Sequence, residues 1–360
     1  MNNITLLAID LAKNVFQLYG TDARGKTVFE RRIRRDKFLD FVKTVNRCNI
    51  YMEGCGSANY WGREFIKLGH QVKLINPKYV KPFVKRNKND RNDSYAIASA
   101  ARDPKMTFGE VKTEAQQDVQ NTHRIRSLLI GQRTALANQV RGFLAEYGII
   151  IPKGVTHVRK QVPVILGNNE TNLSRLTLNN LLELYQNLVQ IDEKIERYNK
   201  IIEDLFDGNE VCERLEEIPG VGKLSATILA SVLGNGSGFK NGRHFAAFLG
   251  LTPKEHSSGE KDKLLGISKG GDTYIRTLLI HGARSVLLYS SKKTDVLSMW
   301  LKRIKERSGA NVAAVALANK MARMALAMVK GNCDYKPNHK PRLQNALIGA
   351  LPQTPEYLKA

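Results

Sequence analysis

The sequence predicts an α/β domain at the N-terminus, then a long helical arm, then a mainly α-helical C-terminal domain. Short apolar, strand-like runs alternate with helical patterns over residues 1–115. Over 116–208 apolar residues recur at helical spacing, and over 209–330 helical patterns are interrupted by glycine-rich segments. Residues 331–360 contain four prolines and are expected to form an extended tail.

The N-terminal pattern predicts three strands in a meander, then helix, strand, helix, strand, helix. Residues 4–10 form an apolar run that ends in Asp10, as a buried central strand does. Asp36 is expected to cap the first helix. The other predicted elements are strands at Val15–Tyr19, Lys26–Ile33, Ile50–Met52 and Gln71–Ile75, and helices over Tyr60–Leu68 and around Tyr95–Arg102. This is the element order of the RNase H-like (RuvC-like) fold.

The arm carries a heptad seam that is typical of a coiled coil. Its apolar residues step by alternating threes and fours: Leu181, Leu184, Leu188, Ile191, Ile195, Tyr198, Ile202 and Leu205. An earlier helix, with Leu129, Leu136 and Val140 on one face, could pack on it. The pattern fits an intramolecular helical hairpin and a dimerisation arm equally well.

The charge of the chain indicates a polyanionic partner. Lys and Arg total 56 against 34 Asp and Glu, a formal net charge of +22 at pH 7. Such a surplus repels itself unless a polyanion offsets it, and nucleic acid fits best because its counterions are released on binding. A basic protein without a fixed partner is the simpler alternative. No basic amphipathic or membrane-spanning segment stands out, so we expect no membrane association.

The termini and cysteines favour a cytoplasmic protein. Met1-Asn2-Asn3 leads directly into a strand-like run without a signal-peptide pattern. The four cysteines (Cys48, Cys55, Cys212 and Cys333) form no C-x-x-C pair, so neither a disulfide framework nor a zinc site is indicated.

Four acids are candidates for a metal site. Asp10 ends the first strand and Glu53 follows the strand Ile50–Met52, and these strands are neighbours in an RNase H-like sheet. Asp90 and Asp93 share a face if a helix begins there. Two Mg²⁺ ions, or Mn²⁺ in their place, about 3.5–4 Å apart would offset the repulsion and act on a phosphodiester. Singly, each acid could be a cap or a solvated charge.

Basic residues surround the two aspartates and could hold a DNA backbone. They are Lys78, Lys81, Lys85, Arg86, Lys88 and Arg91. This mixture of acids for metal and cations for phosphate is what a nuclease needs. A solvated basic helix face is the simpler interpretation.

A second nucleic-acid element is predicted in the C-terminal domain. Ile218-Pro219-Gly220-Val221-Gly222 precedes a helix over Lys223–Leu233, a helix-hairpin-helix-like pattern. Gly220 and Gly222 would let backbone N–H groups, with Lys223 beside them, meet a phosphate. A plain helical turn is the alternative.

A serine-containing loop lies further along the chain. Ser257 and Ser258 follow His256, and Lys261, Lys263, Lys269 and Arg276 are nearby cations for phosphate. From chemistry alone the serines are more typical of loop structure, because a serine hydroxyl is a weak nucleophile without a base.

Three segments closely resemble the motifs of the DEDD transposases of the insertion-sequence-110 family, which are related to the Piv-like DNA invertases. They are Ala8–Lys13, Met52–Gly56 and Lys88–Asp93. Ser94 stands where that pattern usually has Ala. A Ser-Gly pair before Gly266-Ile267-Ser268-Lys269 resembles the family's second domain, and the motifs extend from Ile4 to about Lys330.

The resemblance implies that Asp10, Glu53, Asp90 and Asp93 bind metal and that Ser258 is the nucleophile, with Ser257 as the reserve candidate. It also implies a homo-oligomer (a dimer or tetramer) whose parts share composite sites, acting on element-end DNA and target DNA. A bridge RNA guides known relatives, and the 1111-type subgroup is the nearest in pattern. A hydrolytic RuvC-like junction nuclease and a non-enzymatic DNA-binding scaffold are the rival interpretations.

Overall fold

A six-stranded mixed sheet forms the core of the N-terminal region. The computed structural model describes residues 3–84, 90–256 and 264–337. The strands are β1 (Leu6–Asp10), β2 (Val15–Thr21), β3 (Thr27–Arg34), β4 (Asn49–Glu53), β5 (Gln71–Ile75) and β6 (Phe108–Gly109). Their order is β3-β2-β1-β4-β5-β6. The first three form an antiparallel meander, β1, β4 and β5 are parallel, and β6 is antiparallel to β5.

Helices cover both faces of this sheet, which explains why β1 is apolar along its length. They are α1 (Arg35–Lys43), α2 (Ala58–Lys67), α3 (Pro77–Val80) and α4 (Asp90–Ala101). Phe38 of α1 and Phe65 of α2 pack with Leu7 and Ile9 on one face. On the other face, Ile97 of α4 packs with Ala8.

The expected cap of α1 is wrong. The helix starts at Arg35, and its N-cap residue, Arg34, makes no side-chain cap bond. Asp36 lies in the first turn, where its carboxylate accepts from Arg34 Nε at 3.2 Å. A carboxylate there is still favourable, because it faces the positive end of the helix dipole.

The arm is an antiparallel helical hairpin. Its helices are α5 (Glu114–Ala145), α6 (Val155–Leu166) and α7 (Arg175–Phe206). Pairs between α5 and α7 run in opposite chain directions: Arg126 Nε donates to Asn199 Oδ1 at 2.6 Å, and Arg133 Nη1 to Asp192 Oδ1 at 3.3 Å. The heptad seam of α7 is turned inward at Leu181, Leu188, Ile195 and Ile202, which are all buried. The intramolecular hairpin is therefore present, and dimerisation through the arm stays a prediction.

The C-terminal region is mostly helical, as predicted. It comprises α8 (Glu210–Glu216), α9 (Lys223–Leu233), α10 (Gly242–Phe248), α11 (Thr273–Ser290), α12 (Val296–Ser308) and α13 (Ala310–Gly331). A short antiparallel hairpin, β7 (Pro253–Glu255) with β8 (Leu264–Ile267), interrupts the helices and had no clear signal in the sequence. Residues 338–360 of the expected tail lie outside the described residues.

Helix α13 is long and apolar enough to cross a membrane by length and composition, in the part of the chain that the structure describes. Half of its most apolar window is buried inside the protein. Its inward face includes Leu317, Met321 and Leu326, which belong to the C-terminal core. Core packing therefore accounts for this composition.

The prediction of an α/β region followed by helical regions is thus confirmed. Separate clusters of buried residues form around the sheet, in the arm and in the C-terminal helices. The RNase H-like assignment and the domain boundaries at 115, 208 and 330 stay predictions.

Candidate active site

Asp10 and Glu53 stand side by side at the carboxyl edge of the sheet. The parallel register of β1 and β4 pairs Ile9 with Met52, so the next residues of the two strands are Asp10 and Glu53. Neighbouring strands lie about 4.8 Å apart, and residues in register point to the same face. Gly54 N donates to Ile75 O at 2.8 Å, which holds the chain beyond Glu53 against β5.

Both acids lie on the sheet face that α4 covers. Side chains alternate along a strand, so Asp10 shares its face with Ala8, and Glu53 with Tyr51. Ala8 is buried in the cluster that contains Ile97 of α4, and Tyr51 packs against that cluster.

Helix α4 directs its acid-bearing end toward the same edge. The Tyr95 ring packs edge-on against Tyr19 at 5.5 Å, and Tyr19 is opposite Ala8. Further along, Arg102 Nη2 donates to Thr21 Oγ1 at 2.6 Å, and Thr21 is opposite Leu6. Helix α4 therefore runs away from the Asp10 end of β1, which brings its start, with Asp90 and Asp93, to the Asp10 end.

Three of the four predicted acids, Asp10, Glu53 and Asp93, have described side chains and lie at the same end of the domain. The Asp90 side chain lies outside the described residues, although its backbone belongs to α4. Among the described side chains, no three His, Cys, Asp or Glu residues converge as a metal site. Ser94, which departs from the family pattern, is buried in α4.

The two acids affect the pKa of the Cys55 thiol, which lies at the same edge. Burial raises its pKa, and the negative charges of Glu53 and Asp10 raise it further. Both carboxylates therefore lie near this thiol. Carboxylate oxygens side by side suit a hard divalent cation.

The predicted cations near the acids are only partly described. Lys85, Arg86 and Lys88 lie outside the described residues, and Arg91 is described only as part of α4. Lys78 and Lys81, which follow β5, are exposed. A Cβ on Gly270 would lie 3.9 Å from Lys78 Nζ, so the acid-bearing edge approaches the C-terminal region at this point.

The hairpin β7–β8 carries the predicted serines in its connection. Ser257 and Ser258 lie outside the described residues, as do Lys261 and Lys263. His256, the last described residue before the connection, is exposed. Since β7 and β8 are paired, the chain enters and leaves the connection at neighbouring points.

Glycines hold the base of this hairpin against the turn after α10. A Cβ on Gly271 would lie 1.8 Å from Phe248 O, and one on Gly250, at φ +69°, would lie 2.8 Å from Gly270 N. Only glycine permits such close backbone approach. Lys269 is exposed and has a left-handed backbone at φ +54°, which is unusual for a residue with a side chain.

Arg276 does not face solvent as a phosphate contact would. It is 7% exposed, and its Nη1 donates to Leu249 O at 2.9 Å and to Gly271 O at 3.4 Å. Its Nη2 donates to Thr273 Oγ1 at 3.0 Å. The guanidinium ties the turn after α10 to the start of α11, so this arrangement favours a positioning role over the predicted nucleic-acid contact.

The helix-hairpin-helix-like turn is packed against α11. Gly220 has φ +89°, and a Cβ there would lie 2.7 Å from Gly282 O. Gly222 precedes α9, and a Cβ on it would meet nothing within 4 Å. Lys223 Nζ is 3.1 Å from Asp207 Oδ1 and lies over the Phe206 ring. Gly222 is therefore open, while Lys223 already has an acidic partner.

Comparison with known proteins identifies the chain. Residues 7–149 match the transposase family DEDD_Tnp_IS110, and residues 212–296 match the "Transposase IS116/IS110/IS902 family". The chain is 44% identical over 336 residues to the transposase for insertion sequence element IS1111A of Coxiella burnetii, covering 93% of this chain and 92% of that protein. It is 38% identical to the transposase for IS1328 of Yersinia enterocolitica, over 90% of this chain and 96% of that protein. The chain belongs to the IS110/IS116 family of transposases.

A more distant similarity links this transposase to an inversion protein. The pilin gene-inverting protein of Moraxella lacunata is 23% identical over 353 residues, covering 91% of this chain and 96% of that protein. Membership of the family implies that the transposase binds the DNA ends of its element and target DNA, and that it cleaves and transfers strands. The DEDD family usually uses a divalent metal.

A buried histidine joins the regions of the transposase, and sequence reasoning missed it. His123 of α5 lies 3.0 Å from Tyr274 Oη through Nδ1 and 3.0 Å from Thr227 Oγ1 through Nε2. Burial lowers its pKa to about 4, and the charge of Arg126 contributes. One imidazole thus links α5, α9 and α11 in its neutral form. Nothing in its local sequence distinguishes it from a surface histidine.

Proposed function

We propose that this transposase cuts and joins DNA with a metal-bound site of Asp10, Glu53, Asp90 and Asp93 and with Ser258 as the nucleophile. The observation that carries the proposal is the register of β1 and β4, which makes Asp10 and Glu53 neighbours on the face that α4 covers. Paired carboxylates at a strand edge suit Mg²⁺ or Mn²⁺. The RNase H-like assignment fits the same strand order.

The acids have a defined part in this proposal. Bound metal would supply charge stabilisation to the reacting phosphate. Asp10 and Glu53 are rigid ligands because the residues before them, Ile9 and Met52, are fully buried. Asp93 would complete the set from α4, and Asp90 one turn earlier.

The serine step is a transesterification. Ser258 Oγ forms a bond to phosphorus, one P–O bond of the phosphodiester breaks, and the displaced sugar oxygen leaves as a hydroxyl. The serine proton passes to a base, for which exposed His256 is the adjacent candidate, and the displaced sugar oxygen takes up a proton from water, so one proton is released and one is consumed. Rejoining is the reverse reaction with a sugar hydroxyl of another strand, so no external energy source is needed.

A bridge RNA and a homo-oligomer complete the proposal. The net charge of +22 supports a large nucleic-acid load. Apolar residues on the outer side of α7, Leu182 at 43% and Val189 at 37% exposure, support a contact between arms of two protomers. Light scattering on the wild type and on a Leu182→Glu/Val189→Glu variant should give a smaller particle for the variant.

Covalent trapping tests the central claim. Purified protein with element-end DNA, co-purifying RNA and Mg²⁺ should give a denaturation-resistant protein–DNA adduct. The adduct should disappear in Ser258→Ala and Asp90→Asn, while Ser257→Ala keeps it. Removal of the RNA with ribonuclease should abolish target selection.

Cleavage without an adduct, insensitive to Ser258→Ala, would refute the serine route and make the protein a hydrolytic nuclease. An adduct that survives in Ser258→Ala and is lost in Ser257→Ala would move the nucleophile by one residue. Unchanged activity in Asp90→Asn would refute the carboxylate site.

A further inference from the structure

An apolar groove with a basic rim lies beside the serine hairpin. Its volume is about 1490 Å³, and it lies between the hairpin β7–β8, α12 and α13. Small-molecule sites are usually roughly 300–1,000 Å³, so the groove suits a segment of a polymer better than a metabolite.

The floor of the groove is apolar and contains one large aromatic ring. Leu251, Ile267, Val315 and Met324 line it together with Trp300. Lys320 Nζ lies 4.7 Å from the centroid of the Trp300 ring. Lys320 therefore covers one face of this half-buried ring, and a base that stacks on that face displaces the ammonium toward a phosphate.

The rim is strongly basic. Lys254, Lys269, Lys320, Arg323 and Lys336 line the groove, and Asp334 is the single acid among its described lining residues. Burial lowers the pKa of Lys320, and the charge of Arg323 lowers it further. Two cations that repel each other beside an apolar floor favour an anion between them.

We propose that this groove binds unpaired nucleotides of the DNA strand next to the serine loop, with bases on Trp300 and phosphates on Lys320 and Arg323. This rests on the proposed function, since Lys254 and Lys269, at the groove, belong to or adjoin the hairpin that carries Ser258. A duplex turns its phosphates outward and stacks its bases internally, so it would leave the apolar floor uncovered. A single strand can place its bases on the apolar floor and its phosphates on the basic rim.

Tryptophan fluorescence tests this directly, because the chain has only two tryptophans and Trp61 is buried at 4% exposure. Titration of the full-length protein with a twelve-nucleotide dT strand should quench the emission, and a duplex of equal length should not. Trp300→Phe should remove the quenching and retain binding. Lys320→Gln/Arg323→Gln should lower affinity about 10-fold at physiological salt, because two phosphate contacts are lost.

Lys305→Gln/Arg307→Gln is the charge-matched control, on exposed residues of α12 that do not line the groove. Equal loss of affinity in both double variants, or quenching that persists in Trp300→Phe, would overturn the proposal. So would tighter binding of a twelve-nucleotide rU strand. If the tryptophan emission does not change with dT but changes when residues 338–360 are deleted, the groove would be assigned to the C-terminal segment instead.

These outcomes are separable from failure of the serine route. Normal dT binding with no adduct in any protein would refute the proposed function and leave the groove assignment intact. A normal adduct together with unaltered dT binding in Lys320→Gln/Arg323→Gln would refute the groove assignment and leave the proposed function intact.

Discussion

At the carboxyl edge of the sheet, Asp10 and Glu53 follow Ile9 and Met52, which are fully buried. In the hairpin β7–β8, by contrast, all three residues of β7 are exposed. The acids are held by strands whose own sequence specifies their burial. At the base of this hairpin, Gly271 packs against Phe248 and Arg276 donates to Leu249 O.

The acid edge and the serine hairpin, the two halves of the proposed chemistry, should therefore tolerate different substitutions. The acid edge should be sensitive above all to loss of charge at Asp10 and Glu53, because the residues before them are fixed by burial. The serine segment should be sensitive to backbone contacts at the hairpin base, because the described strand that leads to it, β7, is exposed.

The largest expected effect is on catalysis at the acid edge. Asp10→Asn should lower the rate of DNA cleavage at least about 100-fold, because in the proposed site Asp10 binds the metal, and loss of a ligand costs more than loss of its supporting contacts. Strand-cleavage kinetics with Mg²⁺ measure it. Asp40→Asn, which removes an exposed carboxylate paired with Lys43, should leave the rate unchanged. A rate for Asp10→Asn within threefold of wild type would show that the edge is not catalytic.

The next largest effect is expected at the base of the serine hairpin. Gly271→Ala should cost roughly 3 kcal/mol of unfolding free energy, because its Cβ would overlap the Phe248 carbonyl oxygen and force the backbone apart. Denaturant titration measures this, and the adduct should weaken in parallel. Gly266→Ala is the control on β8, where a Cβ would meet nothing within 4 Å. Equal stability of the two variants would contradict the account of the hairpin base.

A smaller effect concerns His123, which joins the arm to the C-terminal helices. Burial holds the pKa of His123 at about 4, below its usual 6.5, so the folded protein binds fewer protons than the unfolded chain. This contribution is fully present above pH 6.5 and is lost as the pH falls toward 4, on the order of 2 kcal/mol by pH 5. Thermal unfolding between pH 7 and 5 should show a steeper loss in wild type than in His123→Gln. Parallel curves would mean that the histidine does not titrate with folding.

The smallest effect separates two lysines near the C-terminal elements. Lys269→Gln should reduce the slope of log affinity against log salt for duplex DNA by about 0.9, the value for one phosphate contact. Lys223→Gln should change the slope less, because Lys223 already pairs with Asp207. Binding isotherms at several salt concentrations measure both, and a larger change in Lys223→Gln would reverse the assignment.

Much of the fold could be predicted because it leaves a periodic trace in the sequence. The strand Gln71–Ile75 and the helix Lys223–Leu233 have the predicted bounds. The heptad seam predicted α7, but the pattern alone could not say what covers it, since a seam packs equally well on its own chain or on a copy. Helix α5 of the same chain covers it.

The candidate site divides in the same way. The sequence alone placed Asp10 and Glu53 each at the end of an apolar strand, because a buried apolar run that stops at an acid marks the strand end. The parallel pairing that makes the two acids neighbours comes from the sheet. The folded chain was needed to show that Arg276 is buried, that Gly271 packs against Phe248, that His123 joins three helices and that a groove opens beside the serine hairpin. These contacts join residues far apart in the chain through single backbone or side-chain atoms, and such contacts impose no repeating pattern on the sequence.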